Sequence, residues 1–179
     1  TITGAIARIR QGKKPIPPAP SLSPAGNLLY MMTGTQPDPI IERAMDVSLI
    51  LHADHGMNAS TFTTMVVNSS LSDMYGSVVA GIASLKGPLH GGANEKVLYD
   101  LEEIGTAANV EPWFKKAQET KRKVMGFGHR VYKAYDPRAR IFGPMAKVLC
   151  EGDPEVKRLY EIAVKLDGLQ AAADFQQRQ

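Results

Sequence analysis

Cysteine is almost missing from this chain: Cys150 stands alone among 179 residues. A single thiol excludes an internal disulfide framework and fits a reducing compartment. With no histidine near it in sequence, Cys150 reads as a small buried apolar residue rather than a reactive group. Long apolar runs are missing too, and no stretch approaches the about 18–20 residues that a membrane span needs. Convincing period-two alternation, the mark of a half-buried strand, is not found either. Charge of one sign is not in excess: 21 Lys and Arg face 18 Asp and Glu, a net charge of +3. That balance and the lack of a nucleic-acid-binding motif argue against a nucleic-acid partner. There is no signal-peptide pattern and no initiator methionine. The chain opens inside a helix-like pattern, Thr1 to Arg10, and shows no helix stop at Gln179, so a piece of a longer chain is expected.

What is present is helical. Four times a capping residue precedes a proline: Ser23-Pro24, Asp38-Pro39, Asp136-Pro137 and Asp153-Pro154. The side-chain oxygen takes a free N–H of the first turn, while proline at the first helical position has φ preset and loses no bond. Gly34, Gly56, Gly87, Gly105 and Gly152 stand where helices should close. After Asp153 the residues Val156, Leu159, Ile162, Ala163, Leu166 and Leu169 recur at helical spacing. An apolar fraction of 44% supports a real core in one or two domains. The expected class is all-α. Seven of the twelve prolines fall between Pro15 and Pro39, which makes Gly12 to Ser23 an extended surface connector. In the helix expected over Ser72 to Lys86, Gly76, Ala80 and Ser84 form a stripe of small residues, with Ser77, Gly81 and Ala83 beside it. Such a stripe lets another helix approach closely, in the same subunit or in a second one.

Histidine is scarce, and its placement is informative. Three of the four occupy defined contexts: Leu51-His-Ala-Asp-His55-Gly, Gly87-Pro-Leu-His90-Gly-Gly-Ala-Asn94, and Gly126-Phe-Gly-His129-Arg-Val-Tyr-Lys133. Each has a turn former beside the imidazole, so the ring sits at an element end or on a loop, where binding and catalytic groups concentrate. His52 and His55 share a helical face, but a metal site needs further ligands and the only cysteine is distant; no metal site is assigned. His52, inside an apolar run, reads as structural. Asn58 starts a helix whose first turn holds Ser60 and Thr61, which suits an anion or plain capping. His90 precedes a helix expected over Ala93 to Ile104, where the positive dipole end disfavours an imidazolium. From Lys121 to Arg140 seven basic residues face one acid, Asp136, around a glycine-flanked histidine and two tyrosines, Tyr132 and Tyr135. An anionic small molecule fits that composition.

Together these stretches resemble the citrate synthase family, from Asn27 to about Gly143. The resemblance implies a multihelical, two-domain fold with both domains incomplete: residues 1–90 from the large, dimer-forming domain and residues 91–179 from the small one. A hinge is expected near His90 to Gly92. It implies that His55 donates to a substrate carboxylate and that His90 stabilises an enolate-like oxygen. His129 is expected on the ketone oxygen of oxaloacetate, with Arg138 clamping the dicarboxylate through its planar fork. Gly126, Phe127 and Gly128 match the loop that cradles coenzyme A, and Lys133 a basic position near its phosphates. His55, His90, His129 and Arg138 are expected to line one cleft. The small-residue stripe falls where the family forms its homodimer interface.

The implied reaction is a Claisen-type condensation of acetyl-CoA with oxaloacetate, the first step of the tricarboxylic acid cycle. Acetyl-CoA enters as a co-substrate, with no permanently bound cofactor. The family's base is an aspartate in a Pro-Asn-Val-Asp motif downstream of His129. No such motif occurs here, and neither Asp167 nor Asp174 matches it in context, so no base is assigned and residues 1–179 alone are expected to be inactive. Within the same superfamily, 2-methylcitrate synthase and the citrate-synthase-like module of ATP-citrate lyase are the alternatives. A non-catalytic coenzyme A or dicarboxylate binding module and a histidine metal protein are the readings from other classes. The expected location is the cytoplasm, as in bacterial or archaeal forms, with the mitochondrial matrix also open.

Overall fold

A computed structural model describes residues 1–54, 56–128, 132 and 135–176. Among these the chain forms nine α-helices, two short 3-10 turns and no strand, which bears out the all-α expectation. The helices are α1 (Ile2–Arg10), α2 (Pro24–Thr33), α3 (Pro39–Ala53), α4 (Ala59–Ser69), α5 (Met74–Leu85), α6 (Gly92–Ile104), α7 (Val110–Glu119), α8 (Ala139–Leu149) and α9 (Pro154–Gln176). The 3-10 turns cover Ala107–Asn109 and Cys150–Gly152. No helix among the described residues is long and apolar enough to cross a membrane.

Three of the four cap-proline pairs start helices as expected. Ser23 Oγ accepts the Gly26 N–H at 2.9 Å, Asp38 that of Ile40 at 2.8 Å, and Asp153 that of Glu155 at 2.8 Å. Asp136-Pro137 does not. Its carboxylate takes the N–H and guanidinium of Arg138 instead, a turn forms over Pro137 and Arg138, and α8 begins only at Ala139. Gly34 and Gly105 close α2 and α6 with φ of +89° and +75°. Gly87 and Gly152 do not adopt a left-handed φ, and Gly152 lies inside a 3-10 turn.

The chain divides into two compact units. The first comprises Thr1–His55 with Arg140–Met145, and in it α1 packs on α2 and α2 on α3. The expected connector is there, without regular structure and largely exposed. Asn27 holds it down: its Oδ1 accepts the Ala19 N–H at 2.7 Å while its Nδ2 donates to the Ala19 and Leu22 carbonyls. Arg8 adds bonds to the Lys14 and Thr33 carbonyls, each at 3.1 Å.

The second unit comprises Gly56–Ala139 with Ala146–Gln179. In it α4 and α5 form a pair, and Ser77 and Gly81 are the buried residues of α5. A Cβ added at Gly81 would lie 2.4 Å from Thr64 Oγ1, so this part of the small-residue stripe serves α4 of the same chain. The outward side of α5 carries large residues instead: Tyr75, Val79 and Ile82 are exposed. The main core joins Leu101 and Ile104 of α6, Val110 and Phe114 of α7, and Ile162 and Leu166 of α9. Ile104, Val110 and Ile162 are wholly enclosed, each contributing about 1.5–3 kcal/mol by burial. The helical spacing after Asp153 thus predicts the core face of α9 correctly, except that Val156 stays exposed. Arg158 of α9 donates to the Gly105 carbonyl and fixes the end of α6. Cys150 is buried, as expected, with its thiol directed to the Lys147 carbonyl.

Candidate functional site

His90 is positioned by a turn in which backbone groups satisfy one another. The Gly87 carbonyl accepts the N–H groups of His90 at 3.0 Å and Gly92 at 3.1 Å, and the His90 carbonyl accepts that of Ala93 at 3.1 Å. The two glycines are required by space. A Cβ at Gly91 would stand 2.5 Å from Leu85 Cδ1, and one at Gly92 would stand 2.9 Å from the Lys86 carbonyl oxygen. Gly91 itself has an ordinary φ of −64°. The turn therefore sets the half-buried imidazole just before α6, as the sequence predicts.

The ring has one described side-chain partner: Nε2 lies 2.8 Å from Ser60 Oγ. Ser60 stands in the first turn of α4, where Asn58 caps the helix by accepting the Thr61 N–H at 2.9 Å. Capping is thus the role of Asn58, and the Ser60 hydroxyl faces a histidine in the described contacts. No local signal could pair two residues thirty positions apart. His52, read from the sequence as structural within an apolar run, is exposed. Its Nδ1–H donates to the Ser48 carbonyl at 2.7 Å, and its ring lies 6.0 Å from that of Phe142.

The glycine loop also rests on α6. Gly126 and Gly128 have φ of +91° and +72°, and a Cβ at Gly126 would stand 3.0 Å from Val97 Cγ2. Phe127 packs against the core, beside a shallow cavity of about 290 Å³ lined partly by Phe114, Arg122, Lys123 and Gly128. Just before the loop, Arg122 forms a hub that composition alone did not reveal. Its guanidinium reaches both Glu103 oxygens at 2.9 and 2.7 Å and Asp100 Oδ1 at 2.6 Å, and lies 5.0 Å from the centre of the Trp113 ring. Hydrogen bonds from Arg122 and then Trp113 hold the Glu103 carboxyl well below the usual range, at about 2. The same contacts, that with Glu103 foremost, push the Arg122 guanidinium further up.

Arg138 is largely enclosed, its guanidinium 5.5 Å from the centre of the Tyr132 ring. Nε bonds both Asp136 oxygens at 3.1 and 3.2 Å and Nη2 bonds Oδ2 at 2.8 Å. The Asp136 hydrogen bonds raise its pKa above the ordinary arginine value, so its charge is permanent. A carboxylate thus already engages one edge of the fork expected to hold a dicarboxylate. His55, His129 and Lys133 lie outside the described residues.

Helices alone, with a histidine turn and a glycine loop both set on α6, define the class, and comparison with known proteins gives the family. The family model described as citrate synthase, C-terminal domain, matches residues 1–179. The chain is 47% identical over 168 residues to the citrate synthase of Deinococcus radiodurans, covering 93% of this chain and 45% of that protein. It is 49% identical over 169 residues to that of Synechocystis, covering 93% and 42%. Among solved structures it resembles the citrate synthase of Thermoplasma acidophilum in ternary complex with carboxymethyl coenzyme A and oxaloacetate. That likeness has a TM-score of 0.92 at 43% identity and covers 96% of this chain and 45% of that one. The chain belongs to the citrate synthase family. It spans less than half the length of these relatives.

Proposed function

We propose that this chain carries one side of a citrate synthase active centre, which condenses acetyl-CoA with oxaloacetate and water to give citrate and CoA. The observation that carries the reading is the His90 turn, seated before α6 with its ring held by Ser60, in a chain of this family. If the Ser60 hydroxyl donates to Nε2, a neutral imidazole keeps its proton on Nδ1. That N–H then donates to the acetyl carbonyl oxygen as it becomes enolate-like. The enol carbon attacks the oxaloacetate ketone carbon, whose oxygen His129 polarises, while His55 and Arg138 hold the carboxylates. Water then cleaves the citryl thioester. Gly126, Phe127, Gly128 and Lys133 form the coenzyme A side, and no permanently bound cofactor takes part.

The base that removes the methyl proton is not assigned to any residue of this chain. General-base assistance contributes about 10²–10⁴ in rate, so residues 1–179 alone are expected to show no turnover. The proposal includes a cytoplasmic location. It also includes a homodimer in which the exposed row Tyr75, Val79 and Ile82 of α5 faces a second copy. A Val79→Glu variant that remains dimeric by sedimentation would exclude that face. The activity is tested by thiol release from acetyl-CoA with oxaloacetate, using the full-length protein, and by identification of citrate. Binding of both compounds without thiol release would overturn the assignment in favour of a non-catalytic module.

A further inference from the structure

His90 and the Gly126–Gly128 loop are positioned by one element. α6 starts two residues after His90, meets Gly126 through Val97, and reaches the chain just before the loop through Asp100. Asp100 is one of only two buried polar residues among those described, and both of its oxygens are engaged. Oδ1 takes Arg122 Nη2 at 2.6 Å, and Oδ2 accepts the Met125 backbone N–H at 3.2 Å. A buried carboxylate is stable only with such partners. Here the partners are the segment that leads into the loop. The far end of α6 is itself fixed, by burial of Ile104 and by Arg158 on the Gly105 carbonyl.

We infer that Asp100 is a positioning residue for acyl-CoA: through α6 it sets the Gly126–Gly128 loop in register with His90. The inference rests on the proposed citrate synthase reading, in which that loop forms the coenzyme A side. Asp100 touches no reacting atom. It acts through the Met125 N–H, whose direction fixes where the next three residues present their backbone. Arg122 acts differently, completing the carboxylate's partners and stacking on Trp113 so that Asp100 is oriented.

Two double variants of the full-length protein separate this role from simple stabilisation. Asp100→Leu with Arg122→Met removes both charges, so no ion is left buried without a partner, and it also removes the acceptor for Met125. Asp100→Asn with Arg122→Met removes the same charges but leaves an amide oxygen free to accept that N–H. The first should raise KM for acetyl-CoA about fivefold to tenfold, the scale of one net hydrogen bond. Its KM for oxaloacetate should stay within about twofold. The second should return KM for acetyl-CoA to within about twofold of the parent. A purely structural role would lower the active fraction, and with it kcat, and leave both KM values alone. Equal acetyl-CoA KM values for the two variants would overturn the inference. Hydrogen exchange at Met125 gives a readout independent of activity: it should quicken in the first variant and recover in the second. If the parent released no thiol, the citrate synthase reading would fail, while the exchange rates would still decide whether Asp100 holds the loop.

Discussion

Ser60 and His90 meet through a 2.8 Å contact between Oγ and Nε2 across thirty residues of sequence. The contact ties the first turn of α4 to the turn before α6. A hydroxyl on one ring nitrogen fixes the orientation of the other. In the full-length protein Ser60→Ala should therefore lower kcat by about tenfold, less than the ~10²–10³ typical of losing a direct electrostatic donor. KM for oxaloacetate should hardly move. Steady-state kinetics decide it, and an unchanged kcat would mean that the hydroxyl does not orient the ring.

The second expectation concerns Asp136. Its two oxygens align the Arg138 guanidinium, so Asp136→Asn should weaken oxaloacetate binding by about fivefold, part of the worth of a charge-assisted bond because the amide oxygen can still accept. Arg138→Lys should weaken it more, because the ammonium keeps the charge and loses the fork. Direct titration of oxaloacetate measures both. Normal affinity in the lysine variant would remove Arg138 from the clamp.

Packing of α4 on α5 gives a stability test. The Cβ of Gly81→Ala would fall 2.4 Å from Thr64 Oγ1, and overpacking of this kind costs about 1–3 kcal/mol. Thr64→Ala in the same chain should recover most of the loss, since the next neighbour, the Ser60 carbonyl oxygen, lies at 3.6 Å. Urea unfolding of the single and double variants reads this out. If Gly81→Ala unfolds at the parent's urea midpoint, the contact is not tight.

Acid should weaken the Arg122 hub. The Glu103 carboxyl titrates at about 2 in the fold against an ordinary 4.5, so its contribution is complete above about pH 4.5. That contribution declines as pH falls towards 2. The side chain is half exposed, which keeps the effect small. Glu103→Gln should lower Tm at neutral pH, and the gap to the parent should close between pH 4.5 and 2. A gap independent of pH would point to packing rather than charge.

Local signals were readable in the sequence and distant ones were not. Ser23, Asp38, Asn58 and Asp153 cap helices because each needs only an N–H two or three residues on. Asp136 looks identical, yet a neighbouring guanidinium competes for its carboxylate and displaces the helix start. The small-residue stripe announced a close approach, but composition could not say that Gly81 would face α4. Asp100 gave no warning at all. It sits in a helix among ordinary acidic residues, and its partners lie 22 and 25 positions away. The position of His90 was legible because glycine and proline punctuate it locally.

Trp113 is the only tryptophan in these 179 residues, and it sits within the hub that precedes the glycine loop. Its indole N–H donates to Glu103 at 3.0 Å while the ring faces the Arg122 guanidinium. The chain therefore carries its own optical reporter at the root of that loop. Its emission should respond when the guanidinium shifts, so ligand-driven movement there can be followed by fluorescence without attaching a dye.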